Sequence, residues 1–166
     1  MSSLALYLAK YLIAVPVLAV IYLIYSFRGK KRREFIIFLI AGGILSLLIA
    51  KISNHLYSDP RPFIKDGVKP LFYSSRDNGF PSDHTLLASF IGFAVLFYAR
   101  TLGLILLVIA AVVAWARVYS GVHHFVDVIG SFVITAIATT LVYWSVKKYY
   151  RQPHVHNHNR SANTEN

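Results

Sequence analysis

The first apolar run of this chain, Leu4 to Phe27, is interrupted only by Lys10 and Pro16 and is long enough for the roughly 20 residues that a helix needs to cross a bilayer. Four further runs follow: about Phe35 to Leu56, Ser82 to Arg100, Leu102 to Ala116 and Phe125 to Val146. Inside hydrocarbon every backbone polar group must be bonded within its own segment, so runs of this kind must be helices. The expected fold is therefore all-α, a polytopic membrane helix bundle of about five transmembrane helices. Tyr57 to Gly79 carries Pro60, Pro62, Pro70, Gly67 and Gly79; it cannot continue as one helix and is expected as a polar outer loop between the second and third spans. Of the 166 residues, 56% are hydrophobic, more than a water-soluble core of this size needs. Residues 1–150 read as one membrane domain and 151–166 as a basic, polar, disordered tail. The first run lacks a basic leader and a small-residue cleavage pattern, and is expected to be retained.

Composition also narrows the chemistry. With no cysteine, disulfides, thiol nucleophiles and thiolate metal sites are excluded, leaving histidine, carboxylate, hydroxyl or lysine. The net charge of +10 is gathered in short clusters between apolar runs, as membrane topology requires, so nucleic acid is not the expected partner. With the basic turn Arg28 to Arg33 on the cytoplasmic side, Arg100, Lys147, Lys148 and Arg151 also fall inside. The loop before span three and the segment Arg117 to His124 then fall outside, as does the N-terminus. Lys65, Lys69 and Arg76 are outer-side exceptions that an anionic ligand would explain.

The outer ends of spans two to five collect Lys51, Asn54, His55, Asp59, Arg61, Ser82, Asp83, His84, Arg117, His123, His124 and Asp127. Singly, each reads as an interfacial anchor or a helix cap; together, on one face, they read as a site. His123 and Asp127 have i, i+4 spacing, which on a helix puts both on one face and lets the carboxylate hold one imidazole nitrogen while the other attacks. A self-neutralising pair is the equal alternative. His124 points elsewhere and ranks second. Ser82, Asp83 and His84 open span three, where free N–H groups and the helix dipole favour an anion. Arg61 and Arg117 supply forked donors suited to phosphoryl oxygens.

These residues resemble the three-part signature of the type-2 phosphatidic acid phosphatase superfamily, which includes acid phosphatases and vanadium haloperoxidases. Arg61-Pro62 is similar to the end of its first motif, Pro81-Ser82-Asp83-His84 to its second, and Ala116-Arg117 through His123 to Asp127 to its third, with the third spacing complete. The resemblance implies that His123 attacks phosphorus and becomes a phosphohistidine, that Asp127 orients it and that His84 protonates the leaving oxygen. It further implies that Arg61, Arg117, Ser82 and the backbone near Asp83 hold the phosphoryl oxygens, with no metal or other cofactor required. Three positions depart from the pattern. Asn54 stands where the family has lysine, with Lys51 one turn earlier as a substitute; Ala116 replaces serine; Asp83 replaces glycine. The run Phe80 to His84 is similar to bacitracin-resistance-type undecaprenyl pyrophosphate phosphatases, which implies a polyprenyl pyrophosphate substrate at the outer face of the plasma membrane. The alternatives are a phosphatidylglycerophosphate or phosphatidic acid phosphatase and, from another class, a non-catalytic protein that binds or transports an anionic lipid. His154, His156 and His158 alternate along the tail, a pattern able to chelate metal but expected here as part of a solvated end.

Overall fold

In the computed structural model, which describes residues 2–151, the first apolar run is two helices, α1 (Ser2–Tyr11) and α2 (Ala14–Ser26). Pro16 is the cause: its ring excludes a helical carbonyl four residues earlier, so the break falls at Leu12 and Ile13. The tail expected from 151, with its three histidines, lies outside the described residues but for Arg151.

α3 (Gly29–Leu56) starts after an extended Arg28, with Gly29 at φ 55°. The basic run was expected as a turn; it is instead the opening of this helix, since only Phe27 and Arg28 are needed to reverse the chain. At 1.5 Å per residue, the 28 residues of α3 extend about 42 Å, more than a bilayer core, so the basic opening stands beyond the apolar part. A short α4 (Pro62–Lys65) and an isolated bridge between Pro60 and Asn78 are the regular structure of the following loop. Then come α5 (Asp83–Leu96), α6 (Arg100–Tyr119) and α7 (Phe125–Arg151).

Four stretches are long and apolar enough to cross a membrane: Ser3–Ser26, Gly29–Leu56, Arg100–Tyr119 and Phe125–Tyr150. The third expected span is shorter than its sequence suggested, because the chain turns at Phe97 to Ala99, where two N–H groups bond back to Val95. The resulting 14-residue α5, about 21 Å long, is the inner helix of the bundle. Thr85, Ala88, Ser89, Ile91, Ala94 and Val95 are all buried against α3, α6 and α7. A helix wrapped by protein need not match the bilayer thickness.

The two ends of the bundle differ in chemistry. At the end away from the loop, Leu23, Phe35, Phe38, Val95 and Leu106 are buried together, with Phe27, Phe97, Tyr98 and Tyr143 packed around them. There Phe97 stacks on Tyr143 with ring centroids 4.1 Å apart, and buried Glu34 pairs with Lys147. Toward the loop end, a polar seam joins α5 to α7. Ser89 Oγ meets Thr135 Oγ1 at 2.9 Å and Ser131 Oγ donates to the Ser82 carbonyl at 3.0 Å, interhelical bonds of the kind that hold membrane helices in register.

Candidate active site

Arg117 and His123 meet because α6 ends in a Schellman motif. Gly121 adopts φ 68°, its N–H bonds to Val118 O and the Val122 N–H to Arg117 O; the left-handed residue folds the chain back over the last helical turn. Arg117, expected outside span four, is therefore on the last turn of α6, and His123 returns to within 3.3 Å of its Nη2. α7 begins only at Phe125, so His123 and Asp127 do not share a helix face as expected. Asp127 lies in the first turn and reaches back. Its Oδ2 accepts the His124 backbone N–H at 2.9 Å, as in a capping box, and meets His123 Nδ1 at 3.2 Å.

The tautomer of His123 follows from its partners. Nδ1 faces the Gly79 carbonyl at 3.0 Å and the Asp127 carboxylate; both only accept, so Nδ1 carries the proton and donates. Nε2 is left with its lone pair, directed at Arg61 Nη1 (3.2 Å) and Arg117 Nη2 (3.3 Å). The ring is 2% exposed. Burial first, then the charges of Arg117 and Arg61, hold its pKa below the ordinary 6.5 against the opposing hydrogen bond to Asp127. The result is a neutral imidazole with an unprotonated nitrogen facing two guanidinium groups.

Those two groups are held differently. Arg61 donates from Nε and Nη2 to Asp77 Oδ1 (3.1 and 2.9 Å) and from Nη1 to the Val122 carbonyl (3.1 Å). Ser75 Oγ donates to the same carboxylate oxygen. The Asp77 pKa is lowered, with the Ser75 bond the largest cause and burial opposing before the Arg61 bond and charge add to it. Arg117 is also buried, but among the described residues it has no carboxylate partner; its guanidinium lies over the Phe72 ring and its Nε has no acceptor. A buried cation in that position calls for an anion.

The other residues named from sequence divide. His84, half-buried in the first turn of α5, is within reach of the charges of Arg117, His123 and Arg61. Asp83 is exposed beside it. Ser82 is the N-cap residue of α5, but its side chain makes no capping bond; its Oγ accepts from Thr85 Oγ1 instead, and its N–H bonds to Asp127 O. Lys51 stands exposed on α3 with no hydrogen bond or ion pair among the described residues. Asn54, at the lysine position, donates to the Phe80 carbonyl at 2.6 Å. It thus anchors the loop leading into the second motif. Asn78 completes this anchor through bonds to Asn54 O, Tyr57 O and the Asp59 N–H.

Sequence reasoning missed Asp77, Ser75 and the Gly79 carbonyl, whose importance comes from loop folding that no spacing reveals. It also ranked His124 too low. His124 Nδ1 lies 2.8 Å from Asp59 Oδ2 and its Nε2 2.9 Å from Asp66 Oδ2. Burial is the largest influence and opposes charging, but the bonds to Asp66 and Asp59 and the charges of Asp59 and Asp127 outweigh it and raise the His124 pKa.

The chain is similar to known proteins in sequence and in fold. Residues 34–151 match the family model described as PAP2 superfamily. The chain is 32% identical over 122 residues to the bacitracin transport permease protein BcrC of Bacillus licheniformis, covering 73% of this chain and 60% of that protein. It is 31% identical over 137 residues to the undecaprenyl-diphosphatase BcrC of Bacillus subtilis, covering 82% of this chain and 70% of that one. A crystal structure of the first transmembrane PAP2-type phosphatidylglycerolphosphate phosphatase from Bacillus subtilis superposes with a TM-score of 0.68 at 24% identity, over 92% of this chain and 79% of that chain.

Proposed function

Because this chain belongs to the PAP2 superfamily, we propose that it is a membrane phosphatase that hydrolyses undecaprenyl pyrophosphate to undecaprenyl phosphate and inorganic phosphate. The observation that carries this reading is the lone pair of His123 Nε2 facing Arg61 and a charge-unbalanced Arg117. In this mechanism the terminal phosphoryl group of the substrate binds between the guanidinium groups, which turn their donors from Nε2 to its oxygens. His123 Nε2 forms a bond to phosphorus as the bond to the bridging oxygen breaks, and His84, which takes up a proton as the phosphoryl anion binds beside it, gives that proton to the oxygen. Asp127 and the Gly79 carbonyl stabilise the positive charge developing on the ring. Water, deprotonated by the now neutral His84, then attacks the phosphohistidine and releases phosphate. Ser82 and Asp83 contribute the start of α5 to the phosphoryl pocket, and neither step involves a metal.

A lipid substrate is supported by the groove beside the site. A cavity of about 340 Å³ between α3 and α5 is lined by Gly43, Ser46, Leu47, Leu86, Leu87 and Phe90 and has Asp83 in its wall. A hydrocarbon tail leaving a phosphoryl group at His123 passes Asp83 into it. The basic clusters lie at the opposite end of the bundle, which supports a site at the outer face of the plasma membrane.

Phosphate release in detergent from undecaprenyl pyrophosphate, phosphatidylglycerophosphate and phosphatidic acid tests the assignment. The pyrophosphate is expected to be turned over fastest; no release from any of the three defeats the enzyme reading. His123→Ala separates catalysis from transport. An enzyme loses at least about 10³-fold in kcat while still binding lipid, whereas a carrier of anionic lipid keeps working.

A further inference from the structure

We propose that His124 is a charge-compensating positioning residue: as an imidazolium bridging Asp59 and Asp66, it shields Asp127 from the buried Asp59 carboxylate, so that Asp127 alone tunes His123. The inference rests on the phosphatase reading for its catalytic consequence and on geometry for its chemistry.

Each nitrogen of the His124 ring faces a carboxylate oxygen, at 2.8 and 2.9 Å. Carboxylates accept and do not donate, so both nitrogens must carry protons; a neutral ring would direct a lone pair at one of them. Asp59 is 4% exposed and Asp127 fully buried, and one ring nitrogen of His124 and one carboxylate oxygen from each of Asp59 and Asp127 lie within 4.8 Å of one another. Two buried carboxylates this close repel each other unless a cation stands beside them. His124 is that cation. Its ring binds Asp59 and its backbone N–H binds Asp127 Oδ2. The other charge near Asp59 is Lys65, exposed and 3.6 Å from Oδ1. The groups facing His123 are Arg61, Arg117, Asp127 and, less directly, His84.

The same bridge has a mechanical side. Asp59 accepts the Gly79 N–H at 2.9 Å through its carbonyl, and the Gly79 carbonyl in turn accepts from His123 Nδ1. Two residues beyond Asp59 is Arg61. His124 thus ties the segment bearing the nucleophile to the one bearing Arg61 and to the peptide that sets the nucleophile's tautomer.

The test is phosphate release from farnesyl diphosphate in detergent, with kcat/KM followed against pH. His124→Gln leaves Asp59 with only the exposed Lys65 as its cation and favours protonated His123, so the acid limb is expected to move up by roughly half to one pH unit. The His124→Gln/Asp59→Asn pair removes both charges and is expected to return the limb to its original place. Asp66→Asn, at an exposed position, weakens the hold on the His124 proton and is expected to lower the pH at which His124 titrates. A loss of rate in His124→Gln with an unmoved acid limb overturns the proposal, because a purely structural role predicts that result. Nitrogen-15 spectra of histidine-labelled protein give a readout that needs no substrate. Both His124 nitrogens are expected to be protonated at neutral pH, and the His123 titration is expected to shift in His124→Gln as the rate profile does. A singly protonated His124 sinks the proposal even if the enzyme turns over; a protein without turnover whose spectra show the bridge and the shift retires the phosphatase reading alone.

Discussion

At the level of single residues, the site is a set of constraints on one proton. The Gly79 carbonyl and Asp127 demand it on Nδ1 of His123, and two guanidinium groups keep it off Nε2. Asp127→Asn is expected to cut kcat by about 10²-fold or more, since an amide NH₂ presented to Nδ1 favours the wrong tautomer; kinetics on protein with an unchanged thermal midpoint checks this. In the proposed mechanism attack requires neutral His123, and the folded protein lowers its pKa below 6.5. The acid limb is therefore expected below pH 6.5. The same shift contributes stability that is present above the unfolded value and lost as pH falls through the folded one, so acid is expected to lower the melting temperature together with activity. The spacing of Arg117, His123 and Asp127 was legible in sequence because these residues are close along the chain. The partner of Arg61 was not, because Asp77 reaches it through a loop whose path depends on the bonds of Asn78 and Asn54. One helical turn on α3 suggested reach toward the site for Lys51, and the residue stands exposed there.

At the level of elements, two glycines determine whether the motifs meet. Gly121 must be left-handed to close the Schellman motif, and Gly121→Ala is expected to cost about 1 kcal/mol or more in stability and to lower kcat by displacing His123 from Arg117. Gly130 on α7 gives room to Phe80: a Cβ there would sit 2.2 Å from the ring, so Gly130→Ala must push the ring away. Since the Phe80 carbonyl is held by Asn54, the second motif is expected to shift and kcat to fall about tenfold or more, with helix content by circular dichroism unchanged. α5 itself was legible as an apolar run, but its short length was not, because burial against neighbouring helices is a property of the bundle rather than of the segment. The groove it forms with α3 carries its own expectation. Leu87→Trp, placed on the exposed rim, is expected to raise KM for undecaprenyl pyrophosphate several-fold more than for isopentenyl pyrophosphate, a short substrate that does not fill the groove. Equal changes for both lengths would show that the tail lies elsewhere.

At the level of the whole molecule, the two ends of the bundle bear on which side of the membrane the chemistry faces. Helix ends with opposite character fix the two faces: His123, Asp127, Arg61, Arg117 and His84 gather where α5 and α7 begin and α3 and α6 end, while Arg32, Arg33, Arg100 and Lys148 mark the other end. Basic residues flanking spans are retained on the cytoplasmic side, so the loop of residues 57–79 is expected outside. The chain has no cysteine, which allows each position to be tested alone. Tyr73→Cys, at a side chain 91% exposed at the loop tip, is expected to react with a membrane-impermeant maleimide added to intact cells. Lys148→Cys and Arg32→Cys are expected to react only after the membrane is opened. The reverse pattern would put the site inside, where a carrier lipid released at the outer face would have to cross the bilayer before its phosphate could be removed. The labelling pattern therefore tests the order of two events, flipping and hydrolysis, as well as the direction of the bundle.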